Sequence, residues 1–141
     1  MKSFKTLLLV IGIGALLAAT PAFAIDSFNL KVTVPFSFQA GPHVLTAGTY
    51  FIRQEMTSGA MWFYNQDTGT TVVIVRGVPL PTKGPENAEA RFRVYAGKHY
   101  LASVWSPLSR SGRELIPSRA EREAAQAGVP YKVAVLRLER Y

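Results

Sequence analysis

The sequence predicts an all-β fold, an antiparallel β-sandwich or small barrel of about seven strands with one short helix near the C-terminus. Three observations carry this. Apolar residues recur at every second position in several segments, turn residues interrupt them at short intervals, and one stretch alone reads as helix.

From Phe28 the apolar side chains fall at Phe28, Leu30, Val32, Val34, Phe36 and Phe38, the period of a strand with one buried face. Pro35 has no N–H to give a ladder, so the segment is an edge strand there or breaks into two. Ala40-Gly41-Pro42-His43 forms a turn or loop, and residues 49–55 read as the second strand after Gly48. Ser58-Gly59 turns the chain into a third strand at 61–65; Asp67-Thr68-Gly69 marks a tight hairpin into a β-branched strand at 70–78.

Residues 79–87 hold Pro79, Pro81, Gly84 and Pro85 and form a loop that divides the domain in two. Residues 88–95 and 99–106 then make a hairpin about Gly97-Lys98. In the first strand Ala90, Phe92 and Val94 oppose Glu89, Arg91, Arg93 and Tyr95. In the second, Tyr100, Ala102 and Val104 share one face, and Leu101, Ser103 and Trp105 the other. Ser118-Arg119-Ala120-Glu121 matches a capping box, Ser118 as N-cap and Glu121 bonding back to it, and Gly128 with Pro130 ends the short helix. Its apolar residues are alanines, so it packs lightly at the surface or closes one end of the sheets. Residues 131–140 form the last strand.

Two segments make up the chain. Residues 1–24 have the order of a secretory signal peptide: Lys2 and Lys5, an uncharged run from Leu7 to Ala19, and Ala22-Phe23-Ala24 as the cleavage site. The apolar run is too short for a spanning helix, and the absence of Cys excludes a bacterial-type lipid anchor and any disulfide. Residues 25–141 form a single β domain, stabilised by packing alone. Without Lys2 and Lys5 it carries 14 basic and 9 acidic residues. The expected setting is the periplasm or the medium, where a mildly basic domain meets polysaccharide, lipid or another exported protein rather than nucleic acid.

No pattern of catalytic residues emerges. A G-x-S-x-G elbow is lacking, and nothing in the sequence brings two of Glu55, Asp67, Glu86, Glu89 and Glu114 to the roughly 5–10 Å that paired carboxylates need. His43 and His99 follow similar turns and are read as surface residues rather than metal ligands; no cofactor is expected. Tyr141 ends an alternating strand as in outer-membrane barrels, but Arg137 and Glu139 would then face lipid. The most unusual stretch is 105–123, where Arg110, Arg113, Arg119 and Arg122 surround a Gly-Ser turn and a helix start beside Trp105. These five residues are the candidate anion or glycan contacts, against a structural alternative in which Glu114, Glu121 and Glu123 pair with the same arginines over an open end of the core. In Trp62-Phe63-Tyr64, neighbouring rings point to opposite faces, so at least one large ring faces outward, suited to a sugar or a partner surface.

Val34-Pro35-Phe36-Ser37-Phe38 with Leu45-Thr46-Ala47-Gly48-Thr49-Tyr50, and later Trp105, Gly112-Arg113-Glu114-Leu115 and Ser118-Arg119-Ala120-Glu121-Arg122-Glu123, resemble a group of small exported bacterial proteins with a VPFxF…LPAGxY start and no assigned function. Thr46 stands where that group has proline. The resemblance implies export and a β domain and carries no site residues. The expectation is an exported, non-catalytic binding or structural module; the alternatives are a barrel holding a small hydrophobic or glycan ligand, and a cell-envelope hydrolase. Export with cleavage after Ala24 gives a mature chain starting at Ile25; intact-mass analysis of exported protein checks this, and retention of Met1 contradicts it.

Overall fold

The computed structural model describes residues 27–55, 58–74, 77–80, 84–106 and 111–140, the side chains of 27–29, 73–74 and 111 excepted; residues 1–24, read above as a signal peptide, Arg110 and Tyr141 lie outside them. Two sheets form an all-β, sandwich-like fold that does not close into a barrel. The first consists of β12 (Glu139–Arg140), β1 (Ser27–Val34), β4 (Gly48–Glu55), β5 (Met61–Asn65) and β6 (Thr71–Ile74), in that spatial order. The second runs β11 (Tyr131–Arg137), β8 (Glu89–Tyr95), β9 (Lys98–Ser106), β10 (Ser111–Leu115), β7 (Gly77–Pro79), with the hairpin of β2 (Phe38–Ala40) and β3 (His43–Leu45) joined to β9. Helix α1 (Arg119–Gln126) precedes β11.

Pro35 breaks the first alternating run. β1 ends at Val34 in the first sheet, and the chain resumes at Phe38 in the second, where β2 pairs in parallel with β9. The described residues form twelve strands against the seven of the sequence reading, because long alternating segments are shared between the two sheets, and because His43–Leu45 and Ser111–Leu115, outside the strands read from the pattern, join ladders. The periodicity does not show these two, since three to five residues beside Gly or Pro are too few to display an alternating pattern.

The core lies between the sheets. Leu30, Val32, Val34, Tyr50, Ile52, Met61 and Phe63 from the first meet Phe38, Leu45, Ala90, Phe92, Leu101 and Val104 from the second. Phe38 packs edge-on against both Tyr50, at 5.4 Å between ring centroids, and Phe92, at 5.5 Å. Tyr50 is held at its far end: its hydroxyl donates to the Thr46 carbonyl at 2.6 Å and accepts from Asn65 Nδ2 at 3.1 Å. Asn65 Oδ1 in turn accepts the N–H groups of Asp67 and Thr68, fixing the β5–β6 turn. The Leu45-to-Tyr50 motif thus serves the core and a turn.

One strand departs from simple alternation. Arg91 pairs with Ser103 but Phe92 with Leu101, so Ala102 is the extra residue of a β-bulge. The bulge puts Leu101 and Val104 together in the core and leaves Tyr100, Ser103 and Trp105 on the outer face. The face assignment read from strict alternation is corrected accordingly. At the hairpin tip, Ala96 and Gly97 both take positive φ, 46° and 80°, the two-residue turn that suits the strand twist.

Trp105 is covered on that outer face. Its indole N–H donates to the Pro85 carbonyl at 3.0 Å, and the ring lies so close to Gly112 that a Cβ there would fall 1.9 Å from Trp105 Cε3. Gly112→Ala should therefore cost about 1–3 kcal/mol by overpacking; a shift of the urea midpoint at unchanged slope is the measure, and an unshifted midpoint refutes the fit.

Candidate functional site

The described arginines among those singled out in the sequence stand on two elements, Arg113 on β10 and Arg119 and Arg122 on α1. Arg119 and Arg122 are exposed on α1, where Arg119 pairs with Glu123 one turn on, at 2.9 Å. Arg113 sits on β10 with its Nη1 3.5 Å from the Gly77 carbonyl, and its guanidinium borders Gly59. Trp105 is buried under Gly84 and Gly112. Arg110 lies outside the described residues.

The capping box forms by half. The Glu121 N–H donates to Ser118 Oγ at 3.2 Å, whereas the Glu121 carboxylate turns away from the cap to accept from Arg93 Nε at 2.5 Å. Arg93 stands on the outer face of β8, with Glu114 of β10 3.8 Å from its Nη1. The pairing expected between these acids and the arginines of 105–123 is thus directed largely to Arg93. Burial acts to lower the Arg93 pKa, and the hydrogen bond and charge of Glu121 outweigh it, so the guanidinium lies above its ordinary value. Burial also pushes Tyr95 next to it upward, the Glu121 charge adding to the effect. This ion pair fastens the helix to the second sheet.

The two histidines lie on different sides of β2. His43 is exposed opposite Ala40, while His99, opposite Phe38, stacks on Phe36 at 3.7 Å between centroids. Among the described residues no group of three His, Cys, Asp or Glu is placed to hold a metal ion, and no helix is long and apolar enough to cross a membrane. Recesses open at the surface. One, of about 380 Å³, lies between the β2–β3 hairpin, the start of β9 and Ala120; another, of about 260 Å³, lies on the outer face of the second sheet between Leu80, Arg93, Glu114, Tyr131 and Val133.

The side chains most suited to a ligand stand elsewhere, on the outer face of the first sheet. Strand alternation that buries Tyr50 and Ile52, Met61 and Phe63 turns Phe51, Arg53, Trp62 and Tyr64 outward, with Lys31 and Thr33 from β1. Register sets them side by side: Lys31 opposite Phe51, Phe51 opposite Tyr64, Arg53 opposite Trp62. Phe51 and Tyr64 are 6.3 Å apart with rings inclined at 31°; the Lys31 ammonium lies 5.7 Å from the Phe51 centroid and the Arg53 guanidinium 6.0 Å from that of Trp62. Such contacts draw the cations toward the rings. The outward ring expected of Trp62-Phe63-Tyr64 is in fact two, Trp62 half-buried and Tyr64 41% exposed, with Phe63 in the core. Phe51 and its cationic neighbours were not foreseen as a group, because only register unites three strands.

Removing the carboxylate with Glu121→Ala leaves Arg93 without its principal partner and should cost about 2–4 kcal/mol, the low side of a buried pair because Arg93 keeps some exposure; urea unfolding measures it. The Tyr95 pKa is raised in the fold above its unfolded value, so the stabilisation linked to the protonated phenol is present below the unfolded value and is lost as pH rises through the raised one. In Glu121→Ala its ionisation moves back down, which ultraviolet difference absorbance follows. Comparison with family models, with curated proteins and with solved structures finds no match to this chain.

Proposed function

We propose that this protein is a non-catalytic binding module that acts outside the cytoplasm and holds an extended acidic glycan on the outer face of the first sheet. The observation that carries this reading is the platform of Phe51, Trp62 and Tyr64 interleaved with Lys31 and Arg53. Sugar rings present C–H faces that pack on aromatic rings, and carboxylates along the same polymer find the two cations. Thr33 and Thr49, hydroxyl to hydroxyl at 3.2 Å on the same face, add polar groups next to the rings.

Supporting the setting are the leader pattern of residues 1–24, the complete lack of Cys and the resemblance to exported proteins. A ligand inside a barrel is no longer an alternative: the sheets do not close, and Tyr50, Phe63, Phe92 and Phe38 fill the space between them.

The test uses polygalacturonate as the acidic probe and dextran as its neutral counterpart, titrated into the purified protein by calorimetry. Polygalacturonate should bind in preference to dextran, and more weakly as salt rises. Trp62→Ala should weaken binding about 3–10-fold, the worth of one ring contact, with the circular dichroism unchanged. Binding of neither polymer, or binding indifferent to Trp62→Ala, rejects the platform.

A further inference from the structure

Sheet edges are where a β protein is open to another chain, and among the described residues four of the five strands that end a sheet or branch are short: β12, which covers β1 only at Leu30 and Lys31, has two residues, β3 and β7 three each, and β6 four. β11 differs. It is seven residues long, contains no proline, and pairs with β8 without a register shift. Among the described residues no strand pairs with its other edge. The ladder with β8 runs on through Arg137, the Leu138 N–H donates to the Ala88 carbonyl, and Glu139 then pairs with Lys31 of β1. Along the segment from Tyr131 to Val135 the outward side chains are Tyr131, Val133 and Val135, exposed by 53%, 57% and 51%, and the exposed Arg137 follows on the same face.

We propose that this edge joins a second copy of the chain, β11 pairing antiparallel with β11 about a twofold axis at Val133. The register argues for a copy as the occupant. About Val133 the segment is complementary to itself: Tyr131 comes opposite Val135, Val133 opposite Val133 and Lys132 opposite Ala134. Every outward pair is apolar, and no like charges meet. Pairing satisfies the open N–H and C=O groups on both chains, joins the two apolar stripes, and makes one continuous sheet of the two second sheets. The glycan platform belongs to the other sheet, so this interface stands or falls independently of it.

A residue on the axis meets itself, which gives the test its form. Light scattering on the full chain should give twice the chain mass. Because the protein has no cysteine, Val133→Cys creates a single thiol whose partner across the axis lies at a Cα separation of about 4.5–5.5 Å, within disulfide reach. Mild oxidation should cross-link it in high yield, and cross-link the exposed control Ala125→Cys far less. Val133→Lys sets two ammonium groups face to face and should raise the dissociation constant about tenfold or more, with circular dichroism unchanged. A monomer at concentrations up to about 1 mM overturns the proposal. So does a dimer indifferent to Val133→Lys, or cross-linking no greater at Val133 than at Ala125.

Discussion

The fold depends on one crossing of the chain. At Pro35 the backbone can no longer continue the β1 ladder, and within three residues it has moved to the other sheet, so that Phe38 enters the core from the side opposite Val34. There the Phe38 ring contacts Tyr50 of the first sheet and Phe92 of the second. The remaining core is arranged around this bridge. Tyr50 is fixed by Thr46 and Asn65, and Asn65 by the turn it caps, so an aromatic contact between sheets is tied by hydrogen bonds to a loop at the surface.

The two outer faces are then treated differently. On the second sheet, the Ala102 bulge sends Tyr100, Ser103 and Trp105 outward, and each large ring there receives a cover: Trp105 from Gly84, Pro85 and Gly112, and Tyr100 from Tyr95, with α1 held nearby through Glu121 and Arg93. A carboxylate that would ordinarily complete a helix cap goes instead to a guanidinium on a strand, because removing Arg93 from water without a partner costs more than one exposed cap contact. On the first sheet, Phe51 has Lys31 and Tyr64 beside it and Trp62 has Arg53. That contrast is why the proposed ligand surface is the first face and not the second.

The edges show a similar division. Short strands end β12, β3, β7 and β6 before they offer much of a template, while β11 presents an apolar stripe that neighbours the Tyr95–Tyr131 contact, 5.4 Å between centroids. Backbone groups and valines on one open edge are a demanding combination for a surface exposed to water.

The sequence by itself determined the strand periods, the hairpin turns, the helix start at Ser118 and the break at Pro35, because each is a local rule of backbone geometry or capping. It also required an outward ring within Trp62-Phe63-Tyr64, since alternation is local too. Tertiary structure decided which of two sheets each strand joined, that the sheets stay open as a sandwich, and where the bulge at Ala102 parts Leu101 from the face of Trp105. It covered Trp105 with Gly84 and Gly112 and gathered Phe51, Arg53, Trp62 and Lys31 from three strands. The physical reason is register: one residue of slip turns a side chain from core to solvent, and register is fixed by partners far away along the chain.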